Sequence, residues 1–214
     1  NDEIIIEVNE VFKKYDDATV LDNVSLEIEK GKIYGLVGRN GSGKTVLMKC
    51  ICGLIKPTSG EVKVAGKTVG KDVDIPEDIG VIIETPGFIP NYSGFKNLKL
   101  LASVRNKISN EEIRKSMEIV GLDPKSRKHV GKYSLGMRQK LGIAQAIMEK
   151  PKILILDEPM NGLDNESVAV VRKILKEQAE NGATIILASH NREDIDVLCD
   201  KVYTMDHGVI ECER

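Results

Sequence analysis

The octapeptide GRNGSGKT, Gly38 to Thr45, limits what this chain can fold into more than any other stretch. It fits the pattern Gly, any four residues, Gly-Lys-Ser/Thr; the apolar run KIYGLV precedes it and KTVLMKCICGLI, apolar at helical spacing, follows. A strand, a glycine-rich turn and a helix in that order wrap backbone N–H groups around an oxyanion, and the helix dipole adds to the same point. Gly38, Arg39, Asn40, Gly41, Ser42 and Gly43 form the wrap; Lys44 supplies a point charge for β- and γ-phosphates, and Thr45 a hydroxyl for Mg²⁺.

The run ILILDEP supplies a second half. Four apolar residues, Ile153 to Leu156, predict a buried strand whose C-terminal end delivers Asp157 and Glu158 to the crevice where α/β sheets bind ligands. Alone, an apolar strand ending in Asp-Glu is more often ordinary strand-end chemistry. Beside Gly38 to Thr45, Asp157 is placed to hold Mg²⁺ through its shell and Glu158 to orient or deprotonate an attacking water.

The remaining pattern builds an α/β frame around these two pieces. EIIIEV, VSLEIEKG and EVKVAGKTV read as a small, partly antiparallel β layer. From Lys96 to Gly121 the pattern turns helical, and Ser109 with Glu112 makes a capping box. A helix opens at Ser134, with Met137, Leu141, Ala144 and Met148 on one stripe. Then come KILILD, a helical run from Glu166 to Glu180, ATIILAS, a short helical segment from Glu193 to Cys199, and KVYTMD. Apolar strands separated by helices predict a parallel sheet covered on both faces. The start of the Ser134 helix, with Gly136 behind it, is a second anion site on a different helix, and a lone chain would leave one of the two idle.

With 214 residues the chain fits one domain. Its 31 Lys+Arg against 33 Asp+Glu leave a net charge of −2, so there is no basic field to hold nucleic acid. No apolar run approaches the ~20 residues of a membrane-spanning helix, and the N-terminus lacks a secretory pattern, so a cytosolic chain is expected. Cys50, Cys52, Cys199 and Cys212 sit mostly within apolar periodic segments, with Cys50 and Cys52 on different faces of a helix. They are expected as reduced, buried or half-buried thiols. His129 and His207 carry no motif and are expected in solvated loops.

In order, Tyr15, Gly38 to Thr45, YSLGMRQ, ILILDEP, NGLD and ASH resemble the nucleotide-binding subunit of ATP-binding-cassette (ABC) transporters over essentially the whole chain. The resemblance implies a P-loop NTPase (RecA-like) core with a mainly parallel sheet, an N-terminal antiparallel β subdomain and an inserted helical subdomain. Roughly, residues 1–31 and 57–78 form the β layer, 32–56, 79–85 and 146–214 the core, and 86–145 the helical lobe. ATP and Mg²⁺ are the implied cofactors. Ser134 to Gln139 is similar to the family signature, whose Ser134 and Gly136 face the γ-phosphate on a second cassette paired head to tail; Asn161 to Asp164 is similar to the D-loop. His190 resembles the switch histidine that works with Glu158 and Lys44. Tyr15 resembles the aromatic residue that stacks on adenine, against the alternative that it packs in the β layer.

Besides Tyr133 and Met137, which replace the usual leucine and glutamine of the signature, three positions depart from the family pattern. Leu135 stands where a glycine is usual, and its side chain needs room beside the partner's phosphate. Val46 stands where a second hydroxyl usually follows the loop, so an α-phosphate contact is lost. Glu84 occupies the place of the Q-loop glutamine and is expected as a metal or water-site ligand; ionised, it cannot donate an N–H bond. GVIIETPGFIPNYSGFKNL and YSLGMRQKLGIAQA resemble the bacitracin-resistance and lantibiotic-immunity branch of exporters. That branch implies a homodimer on ATP binding, a separate transmembrane permease reached through Pro86 to Leu101, and attachment to the cytoplasmic face of the membrane. A non-transport cassette and a slow ATP-gated dimer switch are the other classes.

Overall fold

The computed structural model describes residues 3–84 and 87–214. Thr85 and Pro86 lie outside the described residues, and with them the start of the segment expected to reach a permease. Among the described residues the strands form two sheets.

The larger sheet carries the site. Its strands are β3 (Ile33–Val37), β6 (Ile79–Ile82), β7 (Ile153–Asp157), β8 (Thr184–Ala188), β9 (Lys201–Asp206) and β10 (Val209–Cys212), in the order β10-β9-β3-β8-β7-β6. All neighbours pair in parallel except β10, which returns antiparallel along β9 through a turn at His207 and Gly208. The alternation of β-strand side chains divides each central strand between two cores. Ile153 and Ile155 face one apolar cluster, Leu154 and Leu156 the other; Ile186 and Ala188 are likewise separated from Ile185 and Leu187. Burial on both faces is why these segments read as unbroken apolar runs.

One core lies between the two sheets. The smaller sheet has the order β2-β1-β4-β5, from β1 (Ile4–Tyr15), β2 (Ala18–Glu29), β4 (Ser59–Val64) and β5 (Lys67–Thr68), all antiparallel. The first two strands run to 12 residues each, longer than their apolar runs. Pairing continues across register shifts, with Glu10 and Asn23 at positive φ, so bulges break the period-2 pattern without ending the ladder. Helix α1 (Lys44–Cys52) fills the space between the sheets with Leu47, Met48, Cys50, Ile51 and Cys52 buried. Enclosure on both sides hides Cys50 and Cys52 although they lie on different helix faces, and desolvation pushes their thiols up to about 11 and about 12. Cys199 is half-buried, whereas Cys212, on the edge strand β10, is exposed, contrary to the expectation for all four.

The second core joins the sheet to helices α2 (Gly94–Arg105), α3 (Asn110–Ile119), α4 (Leu135–Ile147), α5 (Asn165–Glu180) and α6 (Arg192–Leu198). Ser109 and Glu112 form the expected capping box on α3, and Ser134 caps α4 by accepting from Met137 N at 3.1 Å. Leu141, Ala144 and Met148 are buried along the α4 stripe, and Met137 packs partly buried against it. α4 packs on both β6 and α3, so the lobe border expected at 145/146 falls inside a continuous helix. No described helix is long and apolar enough to cross a membrane.

Candidate nucleotide site

A cavity of about 330 Å³ opens at the C-terminal ends of β3 and β7, lined by Arg39 to Val46 with Val20, Asp157 and Glu158. Two glycines of the loop, Gly38 and Gly43, are required by close approach. A Cβ at Gly38 would lie 2.4 Å from the Met205 carbonyl oxygen, and Gly43, the residue before α1, holds φ +106 with the Val20 carbonyl 2.9 Å from the place of a Cβ. Lys44 is 6% exposed, and its Nζ donates to the Gly38 carbonyl at 2.5 Å, folding the cation back across the loop. Ser42 Oγ is buried among the loop residues without a hydrogen-bond partner. A buried orphan hydroxyl beside a buried ammonium in a cup of backbone amides fits a polyphosphate, whose oxygens would satisfy all three.

The Walker-type strand end meets this loop directly. Thr45 Oγ1 donates to Asp157 Oδ2 at 2.8 Å, which joins the first turn of α1 to the tip of β7. Among the described residues no three His, Cys, Asp or Glu side chains gather as a metal cage. One hydroxyl and one carboxylate suit Mg²⁺ completed by phosphate oxygens and water, the usual habit of that ion. Glu158 follows with φ +50, its N–H donating to the Ala188 carbonyl at 2.8 Å. That conformation turns its carboxylate to His190, whose Nδ1 lies 2.9 Å from Glu158 Oε2. The His190 side chain is 70% exposed and that of Glu158 26%, so both are open to a ligand entering from solvent.

Of the remaining candidates only Val46 lines this cavity. Ser134 and Leu135 are exposed at the start of α4, and a Cβ at Gly136 would come within 3.1 Å of the Gly162 carbonyl. Asp164 caps α5 through Ser167 N at 2.7 Å, and that hydrogen bond holds its carboxyl below the usual range. Ser134, Gly136 and Asp164 do not line the pocket around Lys44. Tyr15 ends β1, 47% exposed, with Lys13 Nζ 4.9 Å from its ring centre; Val20 is the neighbouring hairpin residue that reaches the cavity wall. Val46 lines the cavity and packs partly buried against the intersheet core. Glu84 Oε1 pairs with Lys49 Nζ at 2.6 Å and does not line the cavity. His129 and His207 are exposed, the latter 3.0 Å from Asp206 Oδ1.

Sequence reasoning placed Gln139 at the end of the signature stretch and gave its side chain no role of its own. Its side-chain amide is buried and donates to the backbone carbonyls of Glu158 at 3.0 Å and Pro159 at 2.8 Å, tying α4 to the loop of the candidate catalytic carboxylate. The available signal was a polar residue beside the apolar stripe of α4.

The family model for ABC transporters matches residues 21–161. The chain is 48% identical over 207 residues to YybJ of Bacillus subtilis, an uncharacterised ABC transporter ATP-binding protein, covering 97% of this chain and 95% of that one. It is 43% identical to the bacitracin transport ATP-binding protein BcrA of Enterococcus faecalis, covering 96% of this chain and 68% of BcrA. In fold it matches the dimeric ATP-binding cassette MJ0796, solved in a post-hydrolysis state with ADP and Pi, with a TM-score of 0.87 at 22% identity over 98% of this chain and 99% of that one. The phosphate loop, the Asp-Glu strand end beside it and these matches together place the chain in the ABC transporter family, as an ATP-binding ATPase subunit.

Proposed function

We propose that this subunit drives export of a peptide antibiotic or drug-like compound, hydrolysing ATP between two copies of itself bound to a separate membrane permease. The pairing of Glu158 with His190 at 2.9 Å, on the rim of the cavity that holds Lys44, carries the hydrolytic part of this reading. Gly38 to Gly43 bind the phosphates through backbone amides, and Lys44 leaves the Gly38 carbonyl for the β- and γ-phosphates. Thr45 and Asp157 would hold Mg²⁺, which would supply charge neutralisation at the phosphates while water replaces the bridging oxygen on the γ-phosphorus and ADP leaves. Glu158 takes a proton from the attacking water, and His190 fixes the Glu158 carboxylate and reaches the γ-phosphate.

The second copy is supported by what the cavity lacks. Ser134 is exposed at the start of α4, and neither it nor Gly136 nor Asp164 lines the cavity, so their anion is the one held by a partner's loop. Tyr15 is exposed at the hairpin tip beside Val20, available to adenine. Glu84 is the further ligand or water-positioning group at the metal. The relative named for transport supports a separate permease, and with it a position at the cytoplasmic face of the membrane. The 43% identity to a protein named for bacitracin transport supports the cargo class.

The test is Glu158→Gln. The variant is expected to lose phosphate release by about a hundredfold or more and, with ATP and Mg²⁺, to persist as a dimer by light scattering, whereas the parent dimerises only transiently. Unchanged turnover in the variant would remove Glu158 from the chemistry; an unchanged monomer, with or without permease, would remove the two-copy site.

A further inference from the structure

Glu84 and Lys49 form an ion pair beside the proposed cation site, and the geometry of two elements puts it there. Thr45 and Lys49 are four residues apart on α1, so they lie on one helix face, about 6 Å apart along the axis. Thr45 Oγ1 holds Asp157, and Lys49 Nζ, one turn on, holds Glu84 Oε1 at 2.6 Å. On the sheet side, β6 and β7 are parallel with Ile82 opposite Leu156. One residue beyond Leu156 is Asp157, and two beyond Ile82 is Glu84, so both carboxylates leave the sheet at the same end on neighbouring strands. Glu84 has φ +61, an unfavourable conformation for a side-chain-bearing residue.

We infer that Lys49 is a positioning residue that withholds Glu84 from the Thr45–Asp157 pair, so that the affinity of the nucleotide site for a divalent cation depends on whether this ion pair is made. The inference rests on the proposed reading of Thr45 and Asp157 as the cation site. The Lys49 side chain is 22% exposed and that of Glu84 63%, so the pair is a weak surface contact that a divalent cation nearby can compete away. Freed, Glu84 brings a second carboxylate toward the cation. Paired, it leaves Asp157 as the carboxylate on Thr45. An amide at position 84 would lose the charge that Lys49 holds, so the regulation belongs to the glutamate.

Mn²⁺ binding to the full chain with a non-hydrolysable ATP analogue, followed by electron paramagnetic resonance, reads this directly. Lys49→Met is expected to tighten Mn²⁺ about two- to fivefold, the range of a surface ion pair released, while Lys49→Arg keeps the parent value. In a Glu84→Gln background, Lys49→Met should change nothing. Lys49→Gln replaces Lys49→Met should the latter fail to fold. Parent-like Mn²⁺ affinity in Lys49→Met, or equal tightening with Glu84→Gln present, overturns the inference while the ATPase reading stands. Absence of Mn²⁺–nucleotide binding in every chain, parent included, overturns the reading and the inference with it.

Discussion

The Gln139 side chain donates to the backbone carbonyl of Glu158 at 3.0 Å, joining the helix that opens at Ser134 to the strand end that carries the proposed water-activating carboxylate. The same amide nitrogen donates to the Pro159 carbonyl at 2.8 Å, so one buried group serves two acceptors. The contact between α4 and the Glu158 loop is therefore a directional hydrogen bond and not packing alone. Gln139→Leu should strip the Pro159 carbonyl of its donor and leave the Glu158 carbonyl with Asn161 N alone at 3.2 Å, cost about 1–2 kcal/mol in urea unfolding, and lower ATPase turnover with little change in nucleotide affinity. Gln139→Glu, which cannot donate when ionised, should be no better.

Leu135 and Gly162 lock the other side of that junction. Gly162 has φ +78, and a Cβ there would stand 2.7 Å from Leu135 Cγ and Cδ2. Gly162→Ala should cost roughly 1–2 kcal/mol for the backbone conformation plus the clash with Leu135. Leu135→Ala in the same chain should restore part of the loss, and a double-mutant cycle on thermal unfolding should give a coupling of about 1 kcal/mol. Additive effects would show that the leucine simply swings away into solvent.

Arg172 on α5 binds buried Asp194 on α6 through Nε at 2.9 Å and Nη2 at 2.6 Å, linking the helix after Asp164 to the helix after His190. The Asp194 side chain is 3% exposed, so removing the arginine strands a carboxylate out of water. Arg172→Met should destabilise by about 3–5 kcal/mol, and Arg172→Met with Asp194→Leu should recover most of it. Chemical denaturation of the three variants decides this.

Acid should weaken the contact between the two sheets before it unfolds the core. Glu29, the last residue of β2, is held at about 2 by hydrogen bonds from Lys32 and from Lys201, the first residue of β9. A carboxyl depressed on folding stabilises above its unfolded value, near 4.5, and that stabilisation is lost as pH falls toward about 2. Glu29→Gln should therefore melt below the parent at pH 7, and the two melting curves should converge between those values. Parallel curves down to the lower limit would show that the ion pairs add nothing to folding.

The sequence by itself determined whatever depends on residues a few positions apart. The phosphate loop between a strand and a helix, the alternation of apolar strands with helices, the capping box of Ser109 and Glu112 and the cap at Ser134 are short-range patterns, set by turn chemistry and by periods of two and 3.6 residues. Only the tertiary structure decided which faces meet. The strand order β10-β9-β3-β8-β7-β6 cannot be read from apolar runs that are equivalent to one another, and β10 was missed because an exposed edge strand lacks such a run. The bonds from Gln139 to Glu158, from Lys49 to Glu84 and from Arg172 to Asp194 span 19, 35 and 22 residues. No local period encodes such separations, since each partner is chosen by the packing of whole helices against the sheet.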